Sequence, residues 1–137
     1  MNKKIKLIIF LFLLTFNLQA KDRIGTASYY HSKFEGRLTS NGEVFSNSNL
    51  TCASNKYRMG TRLKITNLRN NKFVYVRVND TGKLHGRTID LSQRAFNNIG
   101  VISRGILHVR IQKIEPLNYT LNYEYHVRTR KNCGLYK

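Results

Sequence analysis

Two short stretches of strict alternation constrain this chain more than any other feature. Between Thr61 and Asn67, Leu63 and Ile65 fall on one face, with Arg62, Lys64 and Thr66 on the other. Between Phe73 and Asn79, Val74, Val76 and Val78 alternate in the same way. A period of two belongs to a half-buried strand, and the intervening Leu68–Asn71 stretch supplies a turn, so the pair reads as a β-hairpin. Ile24–Tyr30 and Gly105–Ile114 read as further strands, the second with Leu107, Val109 and Ile111 inward. Thr88–Leu91 reads as a short strand running into a helix. Ser92 is that helix's expected N-cap, Ala95, Phe96 and Ile99 its apolar face, and Gly100 its stop. The polar, Gly- and Asn-rich stretch from His31 to Asn49 reads as loop. Many short strands and one or two short helices predict a small, mainly β fold closed into a barrel, since closure leaves no edge exposed.

The first twenty residues read as an address. Lys3, Lys4 and Lys6 precede an apolar run from Leu7 to Phe16, and Ala20 ends the segment. This is the order of a secretory signal peptide over residues 1–20. An uncleaved anchor is the alternative, but ten apolar residues fall short of the roughly 20 that span a bilayer. No Cys lies near the expected cleavage point, so no lipid anchor is expected. The remainder divides into a barrel domain over 21–115 and a basic, Tyr-rich tail over 116–137 whose structure the sequence leaves open.

Charge narrows the partners. The 137 residues carry 24 Lys+Arg against 7 Asp+Glu, a net of +17. Without the leader the net is about +14. An exported cation of this kind meets acidic envelope polymers far more often than nucleic acid. Hydrophobic residues at 41% suffice for a core and argue against disorder. Two cysteines exclude a disulfide scaffold and a four-cysteine zinc site. Neither a Gly-rich phosphate loop nor a His-Glu-x-x-His pair occurs, so no metal or other cofactor is expected. In an oxidising compartment Cys52 and Cys133 can pair or remain as two thiols.

The seven carboxylates are Asp22, Glu35, Glu43, Asp80, Asp90, Glu115 and Glu124. Asp80 closes Val76-Arg-Val-Asn-Asp, Asp90 lies in Thr88-Ile-Asp-Leu-Ser, and Glu43 sits in the Asn41-Gly-Glu loop. Acids at strand ends and in loops suit a site at a barrel mouth, where they can move a proton at a glycosidic bond. A turn role for Asp80 and a capping role for Asp90 are the structural alternatives.

A series of ordered motifs resembles the rare lipoprotein A (RlpA) family. They are Gly25-Thr-Ala-Ser-Tyr-Tyr30, Phe34-Glu-Gly-Arg-Leu-Thr-Ser-Asn-Gly-Glu43, Leu50-Thr-Cys-Ala-Ser54, Gly60–Leu68, Val76–Gly82, Gly86–Ser92 and Val109-Arg-Ile111. The resemblance implies a six-stranded double-psi β-barrel related to expansins. It implies a lytic transglycosylase acting on peptidoglycan glycan strands, with a preference for strands stripped of stem peptides. The runner-up is a non-catalytic, expansin-like wall-binding module. The resemblance assigns catalysis to Asp80 with Glu43 as its partner and Asp90 as a retained acid. Tyr30, Arg37, Thr39, Asn41, Ser54 and Asn79 are the expected substrate contacts. Ser54 stands where the family has a His, and Cys52 where it has an Ala, which directs the Cys52–Cys133 pairing toward a clasp of the tail over the site. A monomer in the periplasm or envelope, without a nucleic-acid partner, completes the expectation.

Overall fold

The computed structural model describes residues 1–6 and 22–114. Its strands are β1 (Arg23–Tyr29), β2 (Thr51–Ala53), β3 (Arg62–Asn67), β4 (Phe73–Asp80), β5 (Ile89–Leu91) and β6 (Leu107–Ile114). They close into a barrel in the order β1-β5-β2-β4-β3-β6. The β1–β5 and β2–β4 pairs are parallel, and the other four are antiparallel. Two parallel pairs within a ring of six strands give a double-psi β-barrel, the fold expected.

The hairpin forms as the alternation predicts. Leu63 faces Val76 and Ile65 faces Val74 across β3 and β4, and all four side chains are buried. Asn71 takes the left-handed turn conformation at φ 57°, which Asn tolerates better than most residues. Ala27, Val78, Ile89, Leu91, Val109 and Ile111 complete the core. Burying each such aliphatic side chain contributes about 1.5–3 kcal/mol, so the alternation alone commits the chain to this inside and outside. Gly25 is required by close approach: a Cβ there would lie 2.3 Å from Thr88 Oγ1.

Helix α1 (Gln93–Ile99) follows β5 directly. Seven residues make a marginal helix in isolation, so its ends and its apolar face hold it. Ser92 Oγ accepts from Ala95 N at 3.3 Å, the N-cap read from the sequence. At the other end Gly100 N donates to Phe96 O, while the side chains of Asn67 and Asn70 donate to Ile99 O at 2.7 and 3.0 Å. Ala95, Phe96 and Ile99 are fully buried as expected.

The structure adds two short 3₁₀ turns, Ser32–Phe34 and Ile102–Arg104, and the strand β2. β2 escapes alternation because all three of its residues are buried. Cys52 lies within it with no exposed surface, and burial pushes its thiol well above the ordinary range. Its expected partner Cys133 lies outside the described residues, as do the tail over 116–137 and most of the leader. Among the described residues no helix is long and apolar enough to cross a membrane.

Candidate active site

A cleft of about 590 Å³ opens at one end of the barrel, and Asp80 and Asp90 both line it. Period two along β4 would send Asp80 to the core side with Val78. It emerges in the cleft because Cys52 faces Val78 while Ala53 faces Asp80, which leaves Asn79 as an extra residue. Such a bulge re-aims the side chain that follows it. Asp80 O accepts from Ser54 N at 3.0 Å, fixing the new direction.

The two oxygens of Asp80 are treated differently. Oδ1 accepts from Ser40 N at 2.9 Å, Ser40 Oγ at 2.6 Å and Thr81 N at 2.9 Å. Oδ2 accepts one bond, from the Tyr30 hydroxyl at 2.6 Å. Burial opposes ionisation of Asp80, but the bonds from Ser40, Tyr30 and the two backbone N–H groups outweigh it and hold the carboxyl below its usual range. Burial and the bond to Asp80 push the Tyr30 phenol far up, so it stays protonated. Its ring is wedged between Phe45, 4.4 Å away, and Phe34, 5.8 Å away.

Asp90 projects from β5 beside Ser28, its partner in the β1–β5 register. Ser28 Oγ donates to its Oδ1, and Arg87 Nε lies 3.2 Å from the same oxygen.

Glu43 departs from the expectation of a groove-lining partner acid. Its oxygens receive Arg77 Nη1 at 2.6 Å and Nη2 at 2.8 Å, Asn41 Nδ2 at 2.8 Å and Asn79 Nδ2 at 3.2 Å. The Arg77 fork, followed by the two amides, holds its carboxyl down to about 2. It is not among the residues lining the cleft. All four of these donors favour the Glu43 anion. It ties β4, through Arg77 and Asn79, to the 38–44 loop that carries Ser40, and Ser40 in turn holds Asp80.

The expected substrate contacts divide in two. Tyr30, Arg37 and Thr39 line the cleft, although the Tyr30 hydroxyl is engaged by Asp80 and Thr39 Oγ1 donates to Asn41 Oδ1 at 2.6 Å. Asn41, Ser54 and Asn79 do not line it. Ser54 is 0% exposed and Asn79 3%, so neither can reach a polymer; both brace Asp80 and Glu43 from behind. Ser40 and Arg77 were not singled out from the sequence. Ser40 adjoins the Asn41-Gly-Glu43 motif, and the turn that presents it needs Gly42 at φ +86°. Lys33, Arg37 and Lys83 also line the cleft, and none is paired with a carboxylate among the described residues. The first two lie 5.4 and 5.5 Å from the Phe34 ring centroid.

Glu43 gives an acid-stability prediction. A carboxyl whose folded pKa is depressed adds stability that is complete above the unfolded value near 4.5 and is lost as pH falls toward about 2. The side chains of Arg77 and Glu43 are 32% and 40% exposed, so salt weakens the effect. Thermal melts from pH 7 to 2 should fall less steeply below 4.5 in Glu43→Gln than in wild type. Parallel curves would show that the ion pair adds nothing to the fold.

The family model described as lytic transglycolase matches residues 22–111, the whole run from β1 into β6. The chain belongs to the lytic transglycolase family. The resemblance to rare lipoprotein A holds in the curated relatives. The endolytic peptidoglycan transglycosylase RlpA of Pasteurella multocida is 43% identical over 94 residues, covering 68% of this chain and 32% of that protein. The protein of the same name from Haemophilus influenzae is 46% identical over 91 residues, 66% of this chain and 32% of its own length. The chain therefore spans about a third of the length of these family members. Among solved structures, Streptomyces papain inhibitor superposes with a TM-score of 0.58 at 19% identity, covering 72% of this chain and 98% of that one. A mutant Clavibacter michiganensis expansin in complex with cellohexaose gives 0.54 at 21% identity, covering 69% and 51%. Likeness at that identity shows the barrel fold alone.

Proposed function

We propose that this chain is an exported lytic transglycosylase that cuts peptidoglycan glycan strands in the cleft at Asp80. The observation that carries the reading is the asymmetry of that carboxylate in the cleft: Oδ1 is filled by three donors, while Oδ2 holds one and has room for another partner. A strand filling the cleft expels water, which disfavours the anion and raises the Asp80 pKa toward the protonated form. Protonated at Oδ2, Asp80 gives its proton to the glycosidic oxygen as the bond from the muramic C1 breaks. The muramic 6-hydroxyl then attacks C1 and returns its proton to the Asp80 carboxylate. One carboxyl group acts first as acid and then as base, and no water is consumed. In this reading Glu43 need not act as a second titrating acid.

Three features support the substrate class. The relatives carry peptidoglycan in their names. The cations Lys33, Arg37 and Lys83, which pair with no carboxylate among the described residues, suit a polymer whose muramic lactyl groups and stem peptides bear carboxylates. The charged, apolar and small-residue order of residues 1–20 suits delivery outside the cytoplasmic membrane.

The test is mass spectrometry of soluble products after incubation with purified sacculi, intact and stripped of stem peptides. The expected fragments end in 1,6-anhydro-muramic acid. Reducing ends would make the protein a hydrolase. Retained binding without products on either preparation would leave a wall-binding module.

A further inference from the structure

We propose that Tyr30 is a positioning residue that controls when Asp80 can carry the catalytic proton, by occupying the one carboxylate oxygen left for substrate. The inference rests on the transglycosylase reading of the cleft and goes beyond it, because it assigns the timing of the proton to a neutral side chain.

The geometry admits few alternatives. Oδ1 already accepts from Ser40 N, Ser40 Oγ and Thr81 N, which favours Oδ2 as the oxygen that takes a proton arriving at Asp80. There it meets the hydrogen of the Tyr30 hydroxyl, 2.6 Å away between heavy atoms. That bond is strong to the anion and weak to the neutral acid, whose oxygen is the poorer acceptor, so the phenol donor disfavours protonation of Asp80. The phenol itself cannot withdraw, because its ring is held between Phe45 and Phe34 and its backbone is fixed at both ends. Tyr30 N donates to Leu91 O at 2.9 Å, and Gln93 Nε2 donates to Tyr30 O at 3.1 Å. A fixed donor of this kind keeps the empty site ionised. It yields when a sugar hydroxyl or ring oxygen offers the phenol hydrogen a second acceptor. The proton then settles on Asp80 only when a strand lies in the cleft.

Other charges face the pair. His31 and Lys33 come from the first 3₁₀ turn and Arg37 from the loop after it. Lys83, His85 and Arg87 lie between β4 and β5, and Asp90 comes from β5. All are common to wild type and a Tyr30 variant, so they contribute equally to both profiles. The difference between profiles isolates the hydroxyl.

The experiment compares wild type with Tyr30→Phe, which keeps the ring and its contacts and removes only the donor. Two quantities are read: the Asp80 midpoint by carboxyl-carbon NMR titration of the protein without ligand, and the pH dependence of strand cutting. Losing a hydrogen bond to a charged acceptor should move the midpoint up by about one unit. The alkaline limb of the rate profile, which reports protonated Asp80, should move up with it. A midpoint that does not move overturns the proposal, even if cutting is weakened through a raised KM; Tyr30 would then be a sugar platform only. A midpoint that moves in a protein that cuts nothing supports the control of Asp80 by Tyr30 and removes the transglycosylase reading instead. Should Tyr30→Phe fail to fold, replacing Tyr30 by a ring-fluorinated tyrosine, a stronger donor of the same shape, should move the midpoint down.

Discussion

Asp80→Asn is expected to lower strand cutting about 10²–10⁴-fold, the range set by losing a positioned acid–base group. Binding to sacculi should change little. The amide keeps an acceptor where Oδ1 takes the donors of Ser40 and Thr81, and its NH₂ can donate to the Tyr30 oxygen once that hydroxyl turns. Shape, neutral contacts and the surrounding cations persist, and only the transferable proton is gone. Product release from peptide-stripped sacculi measures the rate, and co-sedimentation measures the binding. Residual cutting within threefold of wild type would move the acid to Asp90, the other carboxylate of the cleft. Loss of both cutting and binding would mark Asp80 as a structural residue of the loop.

The largest stability effect is expected at Phe96→Ala, far from the proton chemistry. Phe96 is fully buried in α1, and the ring of Tyr29 in β1 meets it at 5.0 Å and 64°. Removing a ring from such a site costs about 3–5 kcal/mol, through lost transfer energy and the cavity left behind. In a domain of this size that is a fall in Tm of about 15–25 °C. Circular dichroism melts at neutral pH provide the measurement. A fall of only a few degrees would mean that α1 is peripheral to the barrel. The same helix bears Gln93, which holds the Tyr30 backbone, so a softened α1 should also loosen the cleft.

How legible the molecule is from its sequence depends on whether a feature is local. β3, β4 and β6 are readable because each buries one face, and period two records that directly. The helix is readable because Ser92 and Gly100 bracket one apolar stripe. β2 leaves no such trace: Thr51, Cys52 and Ala53 are all buried, so no polar face marks the strand. The prominence of Asp80 is visible in the Val76–Gly82 motif, but its aim depends on a bulge that exists only in the pairing with β2. Glu43 shows the limit most clearly. Its residue type and motif suggest a catalytic acid, and nothing local shows that Arg77, 34 positions later in the chain, forks onto both of its oxygens. Ser54 is similar in kind, since only the closed barrel reveals that the position behind Asp80 is sealed from solvent.

The register of β1 has a kinetic consequence. This first strand pairs with β5 and β6, so residues 23–29 find their partners only at 89–91 and 107–111. A ribosome or translocation channel releasing the chain from its amino end delivers β1 long before anything it can bond. Early hairpin formation by β3 and β4 cannot close the ring, and loop-closure entropy must be overcome across most of the domain at once. Assembly is therefore all-or-none and late, on the slow side for a chain this short. Until β5 has emerged, nothing pairs β1 beside the strands that carry Asp80, and the ring itself closes only with β6. Under the proposed function, cutting would therefore be silent until the whole domain has been released.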